Sequence, residues 1–117
     1  MISQYWKDKI PAKPLSIQVK DQSGTDMNLS LYTTIEAILI GSNNEEIDLT
    51  GSVLDTSNKV AGNIVFRWPT SRSLFEWAGD YVFQLKLSGT GKLDFTTTHP
   101  IRVKELGRVA KGNVYYR

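Results

Sequence analysis

The chain of 117 residues contains no cysteine. This absence excludes a disulfide scaffold, a thiolate zinc site, an iron–sulfur cluster and a cysteine nucleophile. The only histidine is His99, so metal sites built from several histidines are excluded as well. We therefore expect a domain that folds without a metal ion and binds no cofactor.

Long hydrophobic runs are also missing. The longest mostly apolar stretch, residues 35–40, contains Glu36 and is far shorter than the roughly 20 apolar residues that span a bilayer. Residues 7–9 are charged and no apolar run follows them, which is unlike a secretory signal peptide. We expect a protein that is made in a cytoplasm and has no membrane partner.

The residues that are present suffice for one domain with a hydrophobic core. Hydrophobic residues make up 40% of the chain and charged residues 22%, close to average globular usage. A chain of this length buries roughly two-thirds of the surface that its unfolded form exposes. One core can therefore stabilise the whole chain.

Several segments alternate apolar and polar residues with a period of two, which is typical of half-buried strands. Residues 81–87 show the strictest alternation, and glycine-containing turns separate the segments. The pattern predicts an all-β sandwich of seven or eight short strands, with one short connector helix over residues 70–77. The residues that we expect in its core are Leu15, Ile17, Val19, Ile35, Ala37, Leu39, Val53, Ile64, Phe66, Trp68, Tyr81, Phe83 and Leu85.

The two ends of the chain lie outside this pattern. Pro11 and Pro14 disfavour helix in the residues before them, so residues 1–14 are expected to form an extended N-terminal arm. Residues 15–104 form the predicted sandwich. Residues 105–117 form a predicted C-terminal arm, which combines two glycines with a strand-forming Val-Tyr-Tyr sequence.

Charge is distributed unevenly along the chain. Residues 21–58 contain seven acidic residues and neither lysine nor arginine, whereas both ends are basic. This pattern indicates head-to-tail contacts between copies, binding to an anionic surface, or simply solvated loops, and the sequence leaves these three interpretations open.

No catalytic motif stands out. His99 lies beside Pro100 without a nucleophile-elbow sequence. Glu45 and Glu46 are adjacent, so in a strand they would point to opposite faces rather than converge on one bond. The calcium-loop spacing is missing around them, and no glycine-rich phosphate loop occurs. We expect no enzymatic activity, no metal site and no nucleic-acid binding.

The order of the motifs resembles a known family. The motifs are Ile-Asp-Leu-Thr-Gly at residues 47–51, Gly-Asn-Ile-Val-Phe-Arg-Trp at residues 62–68 and Ala-Gly-Asp-Tyr-Val-Phe-Gln-Leu at residues 78–85. Over residues 15–104 the chain resembles the immunoglobulin-like domain of phage baseplate upper proteins and related tail-associated proteins. The resemblance implies an immunoglobulin-like antiparallel sandwich of about seven strands. It also implies a structural protein of the virion, in the tail, baseplate or neck.

In such a particle we expect the arms to order on neighbouring copies and on other phage structural proteins. The aromatic and basic residues of the arms would meet the acidic middle of an adjacent copy. The predicted interface residues are Tyr5, Trp6, Lys7, Glu45, Glu46, Asp48, Arg108, Lys111, Tyr115, Tyr116 and Arg117. The alternative is a module that binds carbohydrate or a host surface, with Trp6, Trp68 or Trp77 as sugar platforms.

Overall fold

The computed structural model describes residues 3–96 and 98–105, which contain eight strands and one 3-10 turn. The strands are β1 (Ser3–Trp6), β2 (Leu15–Gln18), β3 (Thr34–Ile40), β4 (Val53–Asp55), β5 (Asn63–Arg67), β6 (Gly79–Gly89), β7 (Lys92–Phe95) and β8 (His99–Lys104), and the turn is Lys59–Ala61. The all-β prediction is confirmed.

The strands form two sheets that pack face to face. The larger sheet has the order β1-β8-β6-β3, with β7 also paired to β6, and the smaller sheet has the order β2-β5-β4. Only the pairing of β1 with β8 is parallel among the described strands. A five-stranded and a three-stranded sheet packed in this way form a β-sandwich, which confirms the predicted all-β sandwich fold.

Strands β7 and β8 share one side of β6. Strand β8 pairs with residues 79–83 of β6, and β7 pairs with residues 86–89. At the junction the Thr96 N–H donates to the Leu85 carbonyl oxygen (3.0 Å), and the Thr96 hydroxyl oxygen accepts the Leu85 N–H (3.0 Å). Strands β7 and β8 therefore occupy one position in the sheet, one after the other along β6.

The core lies between the sheets and is rich in aromatic rings. Phe66 of β5 meets Phe83 of β6 edge to face, with ring centroids 5.2 Å apart. Strand β6 buries Tyr81, Phe83, Leu85 and Leu87, as its alternation predicts. Further residues of the core were not among those expected from the sequence: Leu29, Tyr32, Leu74, Phe75, Ile101 and Val103.

The connector helix predicted over residues 70–77 is not present. Leu74 and Phe75 are adjacent and both buried, whereas a helix would turn neighbouring side chains about 100° apart. The segment is instead held by loop contacts. For example, the Ser73 hydroxyl accepts the Phe75 N–H (3.1 Å) and donates to the Lys9 carbonyl oxygen (2.7 Å).

The prediction that Val53 is buried is wrong. The register of β4 against β5 sets Val53 opposite Arg67 and Leu54 opposite Phe66. Since successive side chains of a strand point to opposite faces, Leu54 faces the core and Val53 faces outward. The side chain of Val53 is accordingly 57% exposed.

Candidate functional site

The predicted N-terminal arm begins as a strand of the sandwich. Strand β1 pairs in parallel with β8, with Tyr5 opposite Val103. Beyond β1, the Asp8 N–H donates to the Phe75 carbonyl oxygen (2.7 Å) and ties the segment to the domain. The expectation that this arm orders only on a neighbouring subunit is therefore wrong for residues 3–9.

The two aromatic residues of β1 have different environments, because they point to opposite faces of the sheet. The Tyr5 ring stacks on Phe75 at a centroid distance of 5.3 Å and meets the edge of Trp68 at 5.2 Å. Burial raises the pKa of the Tyr5 hydroxyl. Trp6 faces outward and is 46% exposed. Of these two predicted interface residues, Tyr5 is half-buried and packs against the core, and Trp6 is available at the surface.

Lys7 lies beside the C-terminal end of β8, where the described part of the chain ends. Its backbone N–H donates to the Lys104 carbonyl oxygen (2.8 Å), and its Nζ lies 3.5 Å from the Glu105 carboxylate. An exposed ion pair of this kind contributes little to stability. The contact places Glu105, the last residue that the structure describes, beside Lys7. We call residues 106–117 the C-terminal segment.

Three of the predicted interface residues lie in the acidic loop, residues 45–48. The Asp48 carboxylate accepts the Thr50 hydroxyl (2.6 Å) and the Thr50 N–H (3.0 Å). These bonds lower the pKa of Asp48 and hold the local turn. The carboxylates of Glu45 and Glu46 make no hydrogen bond or ion pair within residues 3–96 and 98–105.

The structure brings the acidic loop beside an exposed indole ring. Trp77 is 64% exposed and lines a cavity of about 230 Å³ together with all three acidic residues. The Arg72 guanidinium in this cavity donates to the carbonyl oxygens of Asp48 (2.8 Å) and Thr50 (2.7 Å). The arginine therefore holds the loop backbone.

The acidic loop and the C-terminal exit share one end of the sandwich. Gly79, at the start of β6, pairs with Val103 of β8. On its other side, a Cβ atom at Gly79 would lie 3.2 Å from the Ser42 hydroxyl oxygen. The loop that follows β3 therefore lies about two strand spacings, or ~10 Å, from the end of β8.

An unpaired strand edge lies toward the opposite end. Strand β1 covers β8 over residues 101–104, but β7 pairs only with β6. Within the described ranges nothing pairs with the outer side of β7, which we call the β7 edge. All four residues of β7 are exposed, including Leu93 (60%) and Phe95 (54%). The sequence showed a strand here, but alternation alone does not reveal which strand lies at an edge.

A groove separates the β7 edge from β2, the edge strand of the smaller sheet. This inter-edge groove has a volume of about 740 Å³. The apolar side chains that line it are Ile17, Val19, Met27, Leu87 and Phe95.

The polar groups of the groove are mostly acidic or neutral. The Asp21 carboxylate accepts the Ser23 hydroxyl (2.7 Å) and the Thr25 N–H (3.0 Å), which lower its pKa. The Asp94 carboxylate accepts the Tyr32 hydroxyl, and this hydrogen bond raises the pKa of Tyr32. His99 lies 2.8 Å from the Ser3 hydroxyl oxygen, and burial lowers the pKa of its ring. Lys20 forms an ion pair with Asp26 at 2.8 Å.

The remaining predicted interface residues lie outside the described residues. They are Arg108, Lys111, Tyr115, Tyr116 and Arg117.

Other predicted roles can be compared with the described part of the chain. Trp68 is buried and its Nε1 donates to the Lys13 carbonyl oxygen (2.9 Å), so it cannot be a sugar platform. No group of three metal-ligating side chains occurs within residues 3–96 and 98–105. No helix in the same residues has the length and hydropathy to cross a membrane.

Neither a protein-family model nor a curated protein sequence matches this chain.

Proposed function

We propose that this protein is a non-enzymatic structural component of a bacteriophage particle, in the tail, baseplate or neck. Its copies contact one another and other phage structural proteins, and neither nucleic acid nor a membrane takes part. The observation that carries the proposal is the β7 edge. Strand β7 pairs with β6 on one side, its outer side has no strand partner within residues 3–96 and 98–105, and Leu93 and Phe95 are exposed there. The likeness of residues 15–104 to phage baseplate and tail-associated domains supports the virion as its location.

The β7 edge supports an assembly role for a physical reason. An unpaired strand presents a row of N–H and C=O groups that can pair with another chain, and natural proteins usually protect such edges. Leu93 and Phe95 add apolar surface at the same place. Exposed apolar surface of this kind is typical of protein–protein contacts.

The sequence of the C-terminal segment supports the same role. It contains Arg108, Lys111 and Arg117 but no acidic residue, together with adjacent tyrosines at 115 and 116. Tyrosine and arginine are enriched among the residues that dominate interface energetics. Since β1 already belongs to the sandwich, we assign the assembly role to the C-terminal segment alone and no longer to both arms.

The test is the presence of the chain in phage particles. Particles released from cells that carry the gene are purified on a density gradient and analysed by mass spectrometry. We expect the full chain in the particle fraction in stoichiometric amounts. We expect a chain that lacks residues 107–117 to be folded by circular dichroism and absent from that fraction. Absence of the full chain from particles would overturn the proposal.

A further inference from the structure

We propose that the β7 edge is the receptor for residues 113–117 of a second copy, which add as a strand to the larger sheet and cover the inter-edge groove. This inference rests on the proposed function, because it names the contact by which copies assemble. The resulting contact is heterologous, since each copy donates a segment to one neighbour and accepts a segment from another.

The backbone of β7 is oriented for strand addition. The Thr96 N–H donates to Leu85 of β6. In an antiparallel pair the N–H and C=O groups of successive residues point alternately toward and away from the partner. The groups of Lys92 and Asp94 therefore also face β6, and those of Leu93 and Phe95 face the open side. An added strand finds two donors and two acceptors there.

The groove beside β7 suits the side chains of residues 113–117. Their sequence is Asn-Val-Tyr-Tyr-Arg, in which valine and tyrosine favour strands. Alternation sends Val114 and Tyr116 to one face of the added strand and Tyr115 to the other. One face meets the apolar lining of the inter-edge groove, and the other meets Leu93 on the outer face of the sheet.

Charge also favours this occupant. Asp21 and Asp94 line the groove, and the positive charge of Lys20 is already paired with Asp26. The low pKa of the His99 ring leaves it uncharged near neutral pH. The C-terminal segment carries three basic residues and no acidic one. Only Arg117 of these lies within the added strand, and Arg108 and Lys111 precede it, so a basic segment meets a groove in which Asp21 and Asp94 form no ion pair with a described residue.

Geometry assigns the segment to a second copy rather than to the same chain. A path from Glu105 back to a position beside Phe95 covers ten strand residues, about 30–33 Å. Seven residues lie between Glu105 and Asn113, and the eight steps from one Cα atom to the next span at most about 29 Å when fully extended. Strand β1 lies along β8 and lengthens the path further. The segment of the same chain therefore falls short of this register.

The acidic loop is the competing receptor within a neighbouring copy. It lies near the C-terminal exit, and Glu45 and Glu46 have carboxylates without partners among the described residues. It offers electrostatic attraction at the surface, which salt screens. The β7 edge offers backbone hydrogen bonds and apolar contact as well, and this difference makes the two receptors separable by mutation.

The experiment uses two variants: the Leu93→Pro chain can donate its C-terminal segment but cannot accept one, and the chain that lacks residues 107–117 can accept a segment but cannot donate one. Leu93→Pro removes an outward N–H but no hydrogen bond to β6, so it should block strand addition while the sandwich stays folded. Deletion of residues 107–117 removes the donor and leaves every described strand intact. Sedimentation velocity should give each variant alone a dissociation constant for self-association at least about tenfold higher than that of the parent chain. Their mixture should give a 1:1 heterodimer by native mass spectrometry.

Two controls isolate the backbone contribution and the competing receptor. Leu93→Ser removes the apolar side chain but keeps the N–H, so it should weaken association less than Leu93→Pro does. Joint replacement of Glu45→Gln and Glu46→Gln should leave association unchanged. The thermal midpoints of all variants are compared with that of the parent chain to confirm folding.

A second measurement does not depend on proline. Because the chain contains no cysteine, a disulfide between Leu93→Cys in the truncated chain and Tyr115→Cys in the full chain reports their proximity without background. Opposed residues in antiparallel strands have Cβ atoms about 4.5–5.5 Å apart, close enough for a disulfide after a small shift. Ser71→Cys, which lies in the exposed loop after β5, is the matched control and should not cross-link.

The outcomes separate this inference from the proposed function. Undiminished association of the Leu93→Pro chain would overturn the β7 receptor, and loss of association in the Glu45→Gln, Glu46→Gln chain would assign the acidic loop instead. A parent chain that is present in particles but remains monomeric in solution and forms no cross-link would also overturn it. In each of these cases the particle assay still decides the proposed function.

Discussion

The Tyr81 hydroxyl donates a hydrogen bond to the carbonyl oxygen of Trp77, four residues upstream, at 2.8 Å. The same hydroxyl oxygen lies 3.3 Å from the Trp77 N–H. Tyr81 is the third residue of β6 and is buried, so this contact fixes the corner by which the chain enters the strand. A tyrosine in this position, bonded to the backbone just before its strand, is a hallmark of immunoglobulin-like sandwiches.

Removal of the Tyr81 hydroxyl is expected to destabilise the domain. Tyr81→Phe keeps the packing of the ring but leaves the Trp77 carbonyl without its donor. We expect the free energy of unfolding to fall by about 1 kcal/mol, the usual net contribution of one hydrogen bond. Urea denaturation followed by fluorescence measures the change. An unchanged midpoint would show that the corner does not contribute.

The sequence predicted the faces of β6, because they depend on a short-range pattern. Strict alternation assigned Tyr81, Phe83 and Leu85 to the core, and all three are buried. A single long strand in the middle of a sheet repeats its signal many times, so its faces are read without knowledge of its partners.

The sequence did not predict the contacts that join distant parts of the chain. Strand β1 has only four residues, and its partner β8 lies almost the whole chain away. Nothing in local alternation marks Tyr5 as a ring that packs on Phe75. The unpaired side of β7 is also a property of the whole sheet, because it exists only where β1 stops.

The assignment of β1 to the sandwich leads to a second prediction. Tyr5→Ala removes a ring that packs on Phe75 and Trp68, and we expect a loss of about 2–3 kcal/mol because the side chain is half-buried. Trp6→Ala is the matched control on the outer face of the same strand. Its effect on the free energy of unfolding should be below about 1 kcal/mol. Equal small effects of the two replacements would show that β1 contributes nothing to the stability of the domain.

Gly62 is required where the 3-10 turn passes into β5. Its φ is +78°, and a Cβ atom there would lie 2.6 Å from the Met27 carbonyl oxygen and 2.9 Å from that of Val19. Gly62→Ala therefore adds a clash with backbone to the strain of a left-handed conformation. We expect a loss of about 3 kcal/mol or more by denaturant titration.

Gly24 supplies the control for that replacement. Its φ is +84°, and no atom lies within 4 Å of the position of a Cβ. Gly24→Ala should cost only the backbone strain, about 1 kcal/mol. Similar losses at the two positions would contradict the role assigned to the crowded backbone around Gly62.

The stability of the domain should depend on pH through His99. Burial lowers the pKa of its ring in the folded protein, whereas the unfolded chain has an ordinary histidine pKa of about 6.5. Well above pH 6.5 both states are neutral and His99 contributes almost no pH dependence. As the pH falls below 6.5 the unfolded chain binds the proton first, so the free energy of unfolding decreases.

Urea titrations at pH 7.5, 6.5 and 5.5 measure this decrease, and His99→Gln should flatten it. The interval lies above the range in which Asp21, Asp48 and Asp55 titrate, because their pKa values are lowered. An equally steep decrease in the variant would mean that another group carries the proton.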